Sequence, residues 1–225
     1  MSDIPFLNPT ILKQLDLPVP DREQTASILP ALNLNQSFQP SIELQAYQKL
    51  YGLNLLDGLH WQGFIEMPLF KLHVQVFQPK IEKIKGTVFL LHGYLEHSGI
   101  YQPIVHELLE QGFSVLTYDL PGHGLSTGIP ASIQNFDHYQ QVLHAVYQYV
   151  KHANQLPKPW LGIGQSTGGA IWMHHLLEYA EQRRDPIVER VLLLSPLIRP
   201  AKSAWWHNSA GLGIIRRSKR QVPRH

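Results

Sequence analysis

Apolar residues recur along this chain at two spacings, and the order in which the spacings alternate predicts its architecture. Between Ser41 and Tyr51, Leu44, Tyr47, Leu50 and Tyr51 fall on one helical face, and Gly52 supplies a stop. Residues 61–67, then Leu72, Val74 and Val76 in strict alternation, predict an antiparallel pair with one wetter face. Thr87–Leu91 is an unbroken apolar run, the pattern of a strand buried on both faces of a parallel sheet. Tyr101, Ile104, Val105, Leu108 and Leu109 then mark a helix. The alternation repeats: a strand over 113–118, a helix carrying Phe136, Tyr139, Val142, Leu143, Val146 and Val150, and a strand over 160–163. A further helix bears Ile171, Trp172, Leu176 and Leu177, Asp185-Pro186 breaks it, and 191–194 reads as another buried strand. Strands and helices in this order predict an α/β fold, with a mostly parallel sheet, right-handed crossovers and helices on both faces. Its glycine-rich loops follow strands, so they gather at the carboxyl edge, where ligands of such sheets bind.

No repeat and no linker divides the chain. Residues 1–40, rich in Pro, Asn and Gln, read as an extended arm; 41–200 form the core unit; 201–225 begin a cap over the pocket or a basic tail. The composition, 44% hydrophobic and 16% charged over 225 residues, is that of a globular rather than a disordered protein. Its net charge of +2 conceals an asymmetry, because 201–225 contain six of the nineteen Lys and Arg and no acid, leaving thirteen bases against seventeen acids elsewhere. A body net negative by four is not expected to bind nucleic acid. The tail differs: Trp205, Trp206, Leu212, Ile214 and Ile215 precede Arg216, Arg217, Lys219 and Arg220, a pairing that suits contact with anionic lipid. The sequence has no cysteine, hence no disulfide or thiolate metal site. Lacking a signal-like start and any run near the ~20 apolar residues of a membrane span, it reads as cytoplasmic, with peripheral membrane contact through 201–225.

The chemistry centres on Gly164-Gln165-Ser166-Thr167-Gly168, a GxSxG placed between an apolar run and a helix-like stretch. A serine hydroxyl is a weak nucleophile, and a sharp strand-to-helix turn exposes it while small neighbours relieve crowding. The same turn aims the Thr167 amide, and the positive end of the next helix, at a reacting carbonyl oxygen. Ser166 is therefore the candidate nucleophile. His92-Gly93-Tyr94 leaves the first buried strand, where a second oxyanion amide is needed, and the Tyr94 N–H is the candidate. His92, Gly93, Gly164, Gln165 and Gly168 read as supporting residues, His92 by orienting its loop rather than by transferring protons.

HGxxEHSxxY over 92–101, DxxGHGxS from Asp119 through Gly122-His123-Gly124 to Ser126, and the elbow with its extra Gly169 resemble the monoacylglycerol lipase and lysophospholipase branch of the α/β-hydrolase superfamily. The resemblance spans roughly 60–200. It implies the α/β-hydrolase fold and a serine ester hydrolase of lipophilic esters such as monoacylglycerol or lysophospholipid, with no cofactor and no metal. Elbows of that family commonly read GHSMG; here Gln165 and Thr167 replace the histidine and the methionine. Glu96 and His97 read as a loop-fixing pair, and Asp119, Gly122 and Gly124 as turn-shaping residues. The adjacent His174 and His175 point apart on a helix and do not make a metal pair.

In α/β-hydrolases the acid and then the base follow the nucleophile, each after a later strand. After Ser166 the carboxylates are Glu178, Glu181, Asp185 and Glu189, all before the strand at 191–194 and so at its wrong end; His207 and His225 have no later strand to hold them. The triad Asp and His are not found. The expectation is a chain lacking the C-terminal strands of the fold and inactive alone, with ester hydrolysis a property of the longer protein. An acyltransferase or amidase on the same fold, and a non-catalytic binding protein, are the competing readings.

Overall fold

A computed structural model describes residues 29–198, and the expectations for the N-terminal arm before Leu29 and for 199–225 lie outside the described residues. Helix α1 (Ile42–Leu50) starts where the Ser41 hydroxyl accepts the Leu44 amide. It is followed by Gly52 at φ +68°, a left-handed residue that breaks the run. Strands β1 (Leu59–Glu66) and β2 (Lys71–Gln78) form the expected hairpin. Then come β3 (Thr87–Leu91), α2 (Gln102–Glu110), β4 (Ser114–Tyr118), α3 (Asp137–Ala153), β5 (Trp160–Gln165), α4 (Thr167–Glu181) and β6 (Arg190–Leu194). Tyr101, expected in the helix, belongs to a 3-10 turn (Ser98–Tyr101) just ahead of α2.

The six strands lie in the order β1-β2-β4-β3-β5-β6. β3, β4, β5 and β6 are parallel, and β2 joins them antiparallel through β4. One core packs α3 and α4 on the sheet through Val142, Val146, Val150, Ile171 and Trp172 against Val74, Phe89 and Leu116. The other packs α1 and α2 through Tyr47, Val105 and Leu109 against Phe64, Phe77, Leu90 and Val115.

Two expectations are corrected. The hairpin has no wet face: Gln62, His73 and Gln75 are buried, because α1 and the loop after β3 cover them. Their polar atoms are joined in a lattice: His60 to Gln75 at 3.1 Å, Gln75 to Ser98 at 2.8 Å, and His73 to Asp119 at 2.9 Å. Nor is β6 a buried strand. Val191 and Leu193 pack on the first core, but Leu192 on the opposite face is 54% exposed, since among the described residues nothing pairs beyond β6 or covers that face. The other margin is partly covered, where Leu32 donates to Phe64 O and Phe64 to Pro30 O, both at 2.9 Å, so residues 30–32 pair with β1 at Phe64. No helix among the described residues is long and apolar enough to cross a membrane.

Candidate active site

β5 ends at Gln165 and α4 begins at Thr167, leaving Ser166 alone to make the turn, at φ +48° and ψ −107°. A non-glycine residue in that region is strained and persists only where its surroundings hold it. They do: Ser166 N donates to Leu194 O at 2.9 Å, and its carbonyl accepts from Ala170 N at 3.0 Å and Leu197 N at 2.9 Å. The crossing is too tight for side chains. A Cβ on Gly164 would lie 2.4 Å from Gly168 O, and one on Gly168 would lie 2.3 Å from Leu91 O. Thr167 N–H, the first amide of α4, meets no acceptor among the described residues, as the first turn of a helix leaves its donors free.

The loop after β3 faces this turn. Gly168 N donates to His92 O at 3.1 Å, which ties the elbow to that loop directly. His92 is fully buried; Nδ1 donates to Gly93 O at 2.7 Å and Nε2 accepts from Leu120 N at 2.9 Å. Burial pushes its imidazole down to about 4, against the opposing charge of Asp119. A neutral ring with both nitrogens engaged orients the loop and has no lone pair left for a substrate proton. Gly93 N donates to Glu96 Oε2 at 2.8 Å, while His97 Nδ1 accepts from Gly99 N at 3.2 Å. Glu96 and His97 thus fix the loop separately, not as a mutual pair. The Tyr94 hydroxyl donates to Ala131 O at 3.0 Å, bridging to the loop after β4.

Asp119, expected as a turn former, is a buried hub. Oδ1 accepts from Ser98 N and Oγ, both at 2.7 Å; Oδ2 accepts from Leu125 N at 2.8 Å and faces His73 Nδ1 at 2.9 Å. Burial would raise its pKa, but the hydrogen bond and charge of His73 outweigh that and hold the carboxyl well below the usual carboxylate range. Gly122 and Gly124 do take positive φ, +78° and +48°, and a Cβ on Gly124 would lie 2.2 Å from Asp119 Oδ2. Sequence reasoning missed His73 and Gln75. Their alternating strand reads as solvent-facing, and only the distant α1 reverses that.

Other residues fall apart from the turn. His175 Nε2 accepts from Ile187 N at 3.2 Å, whereas His174 faces Asp137 at 3.8 Å; no cluster of three metal-ligating side chains occurs among the described residues. Glu178 accepts from Gln182. Glu189 N donates to Trp160 O, at the start of β5, so it lies about five residues, roughly 16 Å, from the Ser166 end. No hydrogen-bond partner reaches the Ser166 hydroxyl among the described residues, and His207 and His225 lie outside them.

Residues 82–223 match the family described as serine aminopeptidase, S33. The chain is similar to phospholipase YtpA of Bacillus subtilis, 26% identical over 119 residues, covering 53% of this chain and 43% of the relative. It is 30% identical to human monoglyceride lipase over 119 residues, 51% of this chain and 36% of that one. It thus spans less than half the length of these curated relatives. A solved structure of a candidate lipase from Acinetobacter baumannii superposes with TM-score 0.50 at 16% identity, over 77% of this chain and 54% of that chain, a likeness of fold alone.

Proposed function

This chain belongs to the serine aminopeptidase S33 family, in the monoglyceride-lipase-like branch of the α/β-hydrolases, and on that premise we propose that it carries the nucleophile and oxyanion half of a serine ester hydrolase. The observation that carries the reading is Ser166 held at positive φ between β5 and α4 by bonds to Leu194, Ala170 and Leu197. A strained residue kept by three backbone bonds at the ligand-binding edge of the sheet is what nucleophile presentation requires. The Ser166 hydroxyl attacks the carbonyl carbon, and the displaced electron pair rests on oxygen between the Thr167 and Tyr94 amides. Collapse expels the leaving oxygen as the alcohol, carrying the proton that the serine hydroxyl gives up, and leaves an acyl-serine, which water cleaves to the acid while its second proton restores the serine hydroxyl.

Lipophilic carboxylic esters such as monoacylglycerol or lysophospholipid are the proposed substrates. Leu95 and Ile129, both exposed, border the Tyr94–Ala131 bridge with apolar surface, and the relatives are named as lipases or phospholipases. A binding-only role is the competing reading. A fluorophosphonate probe with peptide mapping, applied to the longer protein expected to carry this chain, tests both. Labelling at Ser166, absent in Ser166→Ala with a melting temperature near that of the wild type, supports the hydrolase. No label on that folded protein favours binding. Partition of the acyl group into an added alcohol or amine separates hydrolysis from transfer.

A further inference from the structure

On the serine-hydrolase reading, we propose that Gln165 and Tyr101 are positioning residues: together they form a link that sets the gap between the two oxyanion amides. Gln165 immediately precedes the nucleophile, and its side chain reaches across to the loop after β3 rather than along its own strand. There the Tyr101 hydroxyl is the node. It lies 2.5 Å from Glu96 Oε2, 3.1 Å from Gln165 Oε1 and 3.3 Å from Gly93 N. Glu96 Oε2 also accepts Gly93 N at 2.8 Å. Gly93 has to be glycine, since a Cβ would lie 2.1 Å from Gln165 Oε1 and 2.7 Å from Glu96 Oε2.

Counting hydrogens orders this cluster. A tyrosine hydroxyl has one, and the carboxylate at 2.5 Å is its better acceptor. The contact with Gln165 is then satisfied by turning the amide end for end, so that its NH2 donates to the tyrosine oxygen with no heavy atom displaced. The result is a directed chain from Gln165 to Tyr101 to Glu96, with Gly93 N–H closing on the same carboxylate.

The proposed oxyanion donors are each within two residues of an end of that chain. Tyr94 follows Gly93, and Thr167 follows Gln165 by two. Two amides serve one oxygen only when both reach about 2.7–3.1 Å from it, so their separation has a tolerance of tenths of an ångström. The Gly168 to His92 bond at 3.1 Å tethers the backbones once, and the side-chain link tethers them again on the other side of the turn. Asp119 holds the same loop at Ser98 without touching the elbow, so it does not substitute for the link.

The test measures phosphonylation of the full 225-residue chain by a fluorophosphonate, as a maximal rate and a half-saturating concentration, for wild type, Tyr101→Phe, Gln165→Ala and the double variant. Losing a whole oxyanion donor costs about 10²–10³ in rate, so loosening the pair is expected to cost on the order of ten-fold. Each single variant should lose that much in maximal rate with half-saturation unchanged, and the double variant should be within about two-fold of the singles, as residues of one link do not add. Single variants that label at the wild-type rate, or penalties that multiply, overturn the link. Should the wild type take no label, as is expected of a chain inactive alone, the rates do not bear on the link. Urea unfolding of the same four proteins then decides: a double variant that loses less stability than the two singles combined supports the link, and strict additivity overturns it.

Discussion

Replacing Asp119 with asparagine changes one atom in a fully buried side chain, and the surrounding donors fix what that costs. Oδ1 receives Ser98 N and Oγ at 2.7 Å, and an amide oxygen placed there keeps both. The new NH2 then replaces Oδ2, which accepts from Leu125 N at 2.8 Å and faces His73 Nδ1 at 2.9 Å. His73 can adapt only as a neutral ring with its hydrogen on Nε2, toward Gln62 Oε1 at 3.4 Å, which leaves Nδ1 to accept. Leu125 N–H cannot, so one buried donor loses its acceptor and meets another donor. An orphaned buried donor costs about 1–3 kcal/mol, and loss of charge assistance adds about another 1 kcal/mol, so Asp119→Asn should lose roughly 3 kcal/mol. That is a large part of the ~5–15 kcal/mol that holds a typical domain folded. Asp119→Ala, which orphans all the donors, should lose more. Urea unfolding reads both. The pH dependence has a definite sign: His73 depresses the folded carboxyl despite burial, so its stabilisation is complete above the unfolded value near ~4 and is lost as pH falls toward the depressed one. The gap between wild type and Asp119→Asn should narrow as pH falls below ~4 toward the depressed value. A loss under about 1 kcal/mol, or a gap that widens below that pH, refutes the hub.

Gly168→Val should impair folding and labelling together, because its Cβ would lie 2.3 Å from the Leu91 carbonyl oxygen; expression and melting temperature check this, and a stable, reactive variant counts against the packing. His92, pushed down to about 4 chiefly by burial, should show no NMR titration between pH 8 and 5. The stability linked to its neutrality should decline as pH falls through the unfolded value near ~6.5 toward the folded one, and a midpoint near 6.5 in the folded protein would contradict its buried role. For residues 201–225, binding to anionic liposomes should weaken with salt and with removal of anionic lipid, and binding indifferent to both would exclude the electrostatic contact.

The elements were legible where periodicity was strong. Thr87–Leu91 and the elbow declared themselves through an apolar run and through paired glycines, which are local signals. Asp119 and Gly124 were visible as a loop motif but not as a buried charge and its cradle, because burial depends on Ser98, Leu125 and His73 arriving from distant segments. The hairpin face was misjudged for the same reason, as polar alternation does not reveal that its polar residues bond to one another under a helix. Val191-Leu192-Leu193-Leu194 misled in the opposite direction: hydrophobicity gives a residue's preference, not whether a neighbour is there to meet it.

The two margins of the sheet differ, and the difference limits how copies of this fold can join. A filament built by strand-to-strand pairing needs two open margins on every copy, one to receive and one to offer. Among the described residues, β1 has residues 30–32 hydrogen-bonded to it at Phe64 alone, whereas no strand pairs beyond β6. Two copies that meet β6 to β6 leave outward only their β1 margins, each partly blocked at Phe64. Further strand-to-strand growth through these native edges would have to displace or bypass the segment at 30–32.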